Sequence, residues 1–63
     1  MDAAIVAGML TQVKDNKVTL SDEDGTTTYD TELTEFKDQD WVTMHLGMRL
    51  QCKVVDGVIV QVD

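Results

Sequence analysis

Val13-Lys14-Asp15-Asn16-Lys17-Val18-Thr19-Leu20-Ser21-Asp22-Glu23-Asp24-Gly25-Thr26-Thr27-Thr28-Tyr29 consists of short runs rich in Val, Thr, Leu and Tyr broken by two turn signals. Asp15-Asn16 and Asp24-Gly25 contain residues that tolerate the positive φ of a tight hairpin loop, and the flanking runs are strand formers. A two-residue loop at Asp15-Asn16 sets Val13 opposite Val18 and Thr11 opposite Leu20. One at Asp24-Gly25 sets Leu20 opposite Tyr29 and Val18 opposite Thr31. Met9, Val13, Val18, Leu20 and Tyr29 then share one inward face.

Moving outward, a third hairpin surrounds Asp56-Gly57. A two-residue loop there pairs Cys52 with Gln61 and Lys53 with Val60, which mixes apolar and polar positions. A three-residue loop, Val55-Asp56-Gly57, with Gly57 in a G1 bulge, pairs Val54 with Val58, Cys52 with Val60 and Leu50 with Val62, so every inward position is apolar. The outward face of this hairpin then reads Arg49, Gln51, Lys53, Ile59 and Gln61, with Val55 at the loop.

Residues 31–47 carry a mixed signal. Leu33 and Phe36 have helical spacing, and Asp40 is placed to cap a short turn through Trp41, Met44 and His45 that stops at Gly47, while Val42, Met44 and Leu46 alternate like a strand. A loop plus one short helical turn fits the capping residue better. Gly8 supplies a point where the first strand can bend to serve two neighbours. Five bent antiparallel strands in 63 residues leave long edges unless they close, so the chain is predicted to be all-β, a single small domain with a five-stranded antiparallel OB-like Greek-key barrel. An SH3-like barrel is the alternative.

The stretch Leu46-Gly47-Met48-Arg49-Leu50-Gln51-Cys52-Lys53-Val54-Val55-Asp56-Gly57 resembles the cold-shock domain family, with a Leu/Gly turn, a fourth strand and a Gly-containing loop. The resemblance implies an OB-type barrel and, through that family's activity, single-stranded nucleic-acid binding. The family bears aromatic-rich binding motifs on its second and third strands. Here those strands read Lys17-Val18-Thr19-Leu20-Ser21 and Thr26-Thr27-Thr28-Tyr29-Asp30, with Tyr29 the one aromatic and directed inward. Base stacking contributes about 1–3 kcal/mol per base to such binding, so the missing aromatics weigh against it more than the shared fold weighs for it.

Charge is segregated along the chain. Residues 22–40 hold eight of the twelve acids (Asp22, Glu23, Asp24, Asp30, Glu32, Glu35, Asp38, Asp40) against Lys37, while the remaining four acids meet four bases, Lys14, Lys17, Arg49 and Lys53. A net charge of −7 with 43% hydrophobic residues is that of a folded chain rather than a disordered one. The single Cys52 cannot form an internal disulfide and the acidic Asp2 does not suit a signal peptide, which predicts a cytoplasmic setting. The apolar run from Ala3 to Leu10 is too short to span a bilayer, so no membrane partner is expected.

No motif points to catalysis or to a cofactor. Aligning Gly25 with the glycine of a calcium loop places Leu20 and Thr31 at its first and last ligand positions, which leaves a solvated hairpin tip. His45 stands alone as a metal ligand or base and reads as an ordinary, partly exposed histidine. Cys52 falls on the inward face, where burial keeps a thiol protonated and inert. The acid pairs Glu32 with Glu35 and Asp38 with Asp40 need a buried pocket to shift their pKa values usefully, and a barrel this small offers little depth. Met9, Met44 and Met48 read as core fillers, and Trp41 as either a lid on the barrel or an exposed anchor.

The remaining oddity is apolar side chains on faces that should meet water: Val55 and Ile59 beside Arg49, Gln51 and Lys53, with Val6 and Leu10 off the inward set of the first strand. An apolar centre rimmed by Arg and Gln has the composition of a protein interface. The sequence therefore predicts a non-catalytic interaction module that binds a protein partner, or pairs with its own copy, through the last hairpin, with Arg49, Gln51, Lys53, Val55, Ile59 and Trp41 as the contact residues. The acidic lobe offers a second route, docking on a basic surface in imitation of nucleic-acid charge. The alternative is weak single-strand binding through Lys14, Lys17, Arg49 and Lys53 with Trp41 stacking, disfavoured because four bases neutralise few phosphates.

Overall fold

The computed structural model describes residues 2–63. It contains five strands, β1 (Ala3–Lys14), β2 (Lys17–Asp22), β3 (Gly25–Thr31), β4 (Arg49–Val55) and β5 (Val58–Val62), with a 3₁₀ turn (Thr34–Lys37) and a helix α1 (Gln39–His45) between β3 and β4. The strands close into a ring in the order β1-β2-β3-β5-β4, β4 returning to β1. The sheet is mixed, which corrects the all-antiparallel expectation: β3 and β5 run parallel, with Asp30 beside Val58 and Thr31 beside Ile59. Parity requires this. In a ring of five strands, direction cannot alternate at every contact, so one pair must be parallel.

Asp15 (φ 53°) and Asn16 (φ 62°) form the predicted two-residue turn, and Val13 faces Val18. Beyond it the register departs from simple alternation. A β-bulge at Thr11 sets Leu10, rather than Thr11, opposite Leu20. The bulge exchanges the faces of β1, so Leu10 is fully buried and Met9, expected inside, is 44% exposed. The second turn is Glu23-Asp24, with Asp22 paired to Gly25 and the Asp24 N–H donating to Asp22 Oδ1 at 2.8 Å. Val18 therefore faces Tyr29 and Leu20 faces Thr27, two residues away from the predicted pairing. A shift of two preserves the face of every side chain, so Val18 and Leu20 remain in the core.

In the third hairpin the turn is the two-residue Asp56-Gly57, with φ of 52° and 78°, and Val55 pairs with Val58. The expected three-residue loop is replaced by a bulge at Val60, which reconciles the tight turn with an apolar interior. Val54 faces Ile59, Lys53 faces Gln61 and Cys52 faces Val62. The helical reading of residues 31–47 holds, but the cap is Asp38 rather than Asp40: its Oδ1 accepts from the N–H groups of Asp40 (3.0 Å) and Trp41 (3.3 Å).

The core comprises Leu10, Val18, Leu20, Phe36, Leu50, Cys52, Val54 and Ile59, with Val6, Val13, Tyr29, Leu33, Trp41 and Val62 packed against it. Two details hold the ring shut. At Gly8, an added Cβ would lie 3.0 Å from the Ser21 carbonyl oxygen and 3.1 Å from Leu20 Cβ, so any larger residue would press β1 and β2 apart by a few tenths of an ångström. Thr31, 2% exposed, donates its hydroxyl to the Ile59 carbonyl (3.2 Å) and accepts from the Leu33 N–H (3.1 Å), which ties β3 to β5 at their parallel contact.

Gly8→Ala is predicted to cost about 1–3 kcal/mol through overpacking, read as a lower urea midpoint, whereas an unchanged midpoint would show that β1 and β2 have room to part. Thr31→Val keeps the shape but leaves the Leu33 N–H buried without its acceptor. It should cost about 1–3 kcal/mol in the same measurement, with Thr31→Ser recovering part of the loss.

Candidate docking face

β4 alternates cleanly. Leu50, Cys52 and Val54 point into the core, and Arg49, Gln51, Lys53 and Val55 point out. Antiparallel pairing brings a matching outward row from β1 beside them: Met9 faces Arg49, Ala7 faces Gln51, Ile5 faces Lys53 and Ala3 faces Val55. On the other side β5 adds Val58 next to Val55 and Gln61 next to Lys53. The result is a three-strand outer face with Arg49, Gln51 and Lys53 along its middle strand and Ile5, 62% exposed, on the β1 side beside Lys53. The Gln51 side chain donates to Asp63 Oδ2 at 3.4 Å. Among the described residues the ion pairs are Lys17 with Asp30 and Lys37 with Glu32, so Arg49 and Lys53 present unpaired charges to solvent.

Of the predicted contact residues, Arg49, Gln51, Lys53 and Val55 lie together on this face. Ile59 does not. The two-residue turn sets Ile59 opposite the inward Val54, at 1% exposure, and the bulged Val60 lies out at 43%. Trp41 is also separate: it is half-buried on α1, edge-to-face with Phe36 (centroids 5.1 Å, 79°) and stacked on His45 (4.0 Å, 19°), so it lids the core. His45 is half-buried, with Nδ1 2.7 Å from the Trp41 carbonyl oxygen. Val6 and Leu10, assigned to the outside from sequence, face inward.

Sequence reasoning missed Ile5 and Met9 because both alternating sets of β1, Ala3-Ile5-Ala7-Met9 and Ala4-Val6-Gly8-Leu10, are apolar. It also misplaced the methionines. Met44 (72%), Leu46 (46%) and Met48 (51%) are all exposed, and none fills the core. The turn carrying them is fastened to β1 by Gly47 N–H to the Leu10 carbonyl (2.8 Å) and Leu10 N–H to the Met48 carbonyl (2.9 Å). The turn, with exposed Leu46 and Met48, therefore lies at the Met9–Arg49 end of the β1–β4 face. Such side chains adapt their shape to a partner at little strain.

The outer face of β2 and β3 is built differently. Thr19 and Thr28 hydroxyls lie 3.0 Å apart, as do those of Ser21 and Thr26, and Lys17 bridges to Asp30. These cross-strand pairs satisfy one another and offer no aromatic platform, while Tyr29 is half-buried against the core.

Cys52 is buried, and desolvation, then the negative charge of Asp63, pushes its thiol above the ordinary value of 9.0. A raised acid pKa in the folded state means that the thiol's stabilising contribution is intact at neutral pH and is lost as pH rises past the unfolded value. Two outcomes are expected: iodoacetamide labels Cys52 at pH 8 only as fast as the chain opens, accelerating with urea, and unfolding free energy declines above about pH 9. Rapid labelling in buffer without urea would contradict the burial. No family model matches the chain, and no curated protein or solved structure matches it either.

Proposed function

We propose that this chain is a non-catalytic protein-interaction module that docks through the outer face of β1 and β4. The observation that carries this reading is an apolar strip on adjacent strands, the exposed Ile5 and Met9 of β1 beside the half-buried Val55 of β4, rimmed by the unpaired Arg49 and Lys53. Apolar residues scattered singly need no explanation, but a strip on adjacent strands with a polar rim matches the anatomy of a docking surface. The partner is a different protein with acidic groups beside an apolar ridge, because two copies of this face would set Arg49 and Lys53 against their own like charges.

The framework under the face is best described as an OB-like Greek-key barrel. Three hairpin-connected strands followed by a fourth that returns beside the first is the Greek-key arrangement, and the order β4-β1-β2-β3 supports it. The cold-shock resemblance of residues 46–57 fits this framework, yet two of the features that would bind a nucleic-acid strand are engaged elsewhere. Lys17 is paired with Asp30, and one face of Trp41 is covered by His45. These contacts weigh against single-strand binding as the main role.

The test places a photo-crosslinking residue at Ile5 and, in a second protein, at Thr28 on the hydroxyl face. Illumination in an extract of the source cells should give discrete protein adducts from position 5 and none from position 28. Adding Arg49→Glu and Lys53→Glu should lower the yield roughly tenfold, because two complementary charges are reversed. Equal adducts from both positions, or adducts to nucleic acid alone, would sink the proposal.

A further inference from the structure

β1 is partnered by β4 over residues 3–9 but by β2 only over residues 9–14. Along residues 3–8 the backbone groups that point away from β4 have no strand partner among the described residues. In an antiparallel ladder every second residue directs its N–H and C=O to a given side, so this edge presents a row of open donors and acceptors. Its sequence, Ala3-Ala4-Ile5-Val6-Ala7-Gly8, contains no charge and no proline, so it lacks two of the usual devices that keep an exposed edge from recruiting another strand.

The edge opens into a cleft. Past the close contact at Gly8, the β2–β3 hairpin diverges from β1 and leaves a cavity of about 440 Å³. Ala7 and Gly8 line one wall, Asp22, Glu23 and Asp24 the other, and Arg49 also contributes. Three carboxylates against one guanidinium, none in an ion pair among the described residues, give the cleft a negative field at the Gly8 end.

We propose that residues 3–8 of β1 take up an extended segment of another protein by strand addition, and that this segment carries Lys or Arg where it passes Asp22, Glu23 and Asp24. Main-chain hydrogen bonds to the open edge supply affinity, and the acidic hairpin tip sets direction and selectivity. A second copy is the poorer occupant: residues 3–8 bring no base to meet the acidic tip. The inference deepens the docking reading and rests on it for one point, that the partner is a protein.

The test selects random short peptides displayed on phage against the intact protein, then follows synthetic copies of the enriched sequences by NMR hydrogen exchange. The expected peptides alternate β-branched or apolar residues with polar ones and end in Lys or Arg. They should slow exchange of alternate amides within residues 3–8 by tenfold or more, since each new ladder bond must open before exchange. Neutralising the tip with Asp22→Asn, Glu23→Gln and Asp24→Asn should weaken binding about fivefold, in keeping with exposed charge pairs. Peptides that shift Arg49, Gln51 and Lys53 while the edge amides stay unprotected would overturn strand addition and leave face docking standing. Protection of residues 3–8 that grows with protein concentration in the absence of peptide would assign the edge to a second copy, overturning the heterologous partner. Failure to enrich any peptide would overturn strand addition and leave face docking to its own crosslinking test.

Discussion

One strand has to serve two neighbours, and the rest of the molecule depends on how it does so. β1 is paired to β4 along its first half and to β2 along its second, with Met9 shared between them. The handover takes place at Gly8, where a side chain would meet the Ser21 carbonyl, and a bulge at Thr11 follows. Without the bend, β4 and β2 could not both reach β1, the ring would not close, and Leu10 would lose its fully buried position. The same bend leaves residues 3–8 open on one side and turns Ile5 and Met9 outward beside Arg49 and Lys53. The closure that builds the core therefore also creates the face and the edge on which a function can be read.

What the sequence disclosed is what is encoded locally. Asp15-Asn16 forms its turn because both residues tolerate positive φ, and Gly57 marks the last hairpin for the same reason. Arg49, Gln51, Lys53 and Val55 were legible as one face because β4 is regular and alternates polar with apolar. The failures share a cause. The bulges at Thr11 and Val60 lie in or beside apolar runs, where an extra residue leaves no trace in the alternation, yet each reverses the faces beyond it. This is how Met9 came to lie outside; Ile59 came inside because the turn before it is one residue shorter than expected. The second hairpin is also displaced, but by two residues, so its core positions survived. The parallel contact of β3 and β5 follows from ring parity and from no single residue. Asp38 displaced Asp40 as the cap because the 3₁₀ turn ahead of it sets where the helix begins.

The fold also sorts the charges. The acidic residues 22–24 occupy the β2–β3 tip and residues 32–40 the crossover, whereas Arg49 and Lys53 stand on β4. The molecule measures 32 × 26 × 20 Å, and the screening length at physiological salt is about 8 Å. Charges on opposite sides are thus felt separately, and a partner responds to the local patch rather than to the net −7. Where the two signs meet, at Arg49 beside Asp22, Glu23 and Asp24, the local balance is still negative. The β1–β4 face and the cleft accordingly differ in sign: unpaired bases beside apolar side chains over β4, and carboxylates at the hairpin tip.

Size limits what the interior can hold. Leu10, Val18, Thr31, Cys52 and Ile59 fill the centre of the ring to within 2% of complete burial, and among the described residues no buried side-chain polar atom lacks a partner. A folded chain of this length has stability near the low end of the usual range, about 5 kcal/mol, which leaves little room for the strained or desolvated groups that catalysis demands. Surface features carry no such cost. An exposed Ile5 and three exposed methionines subtract little from folding, and an unpaired strand edge keeps its hydrogen bonds with water until a partner replaces them. In a domain whose interior is used up by holding itself together, such faces and edges stand outside the balance that keeps it folded.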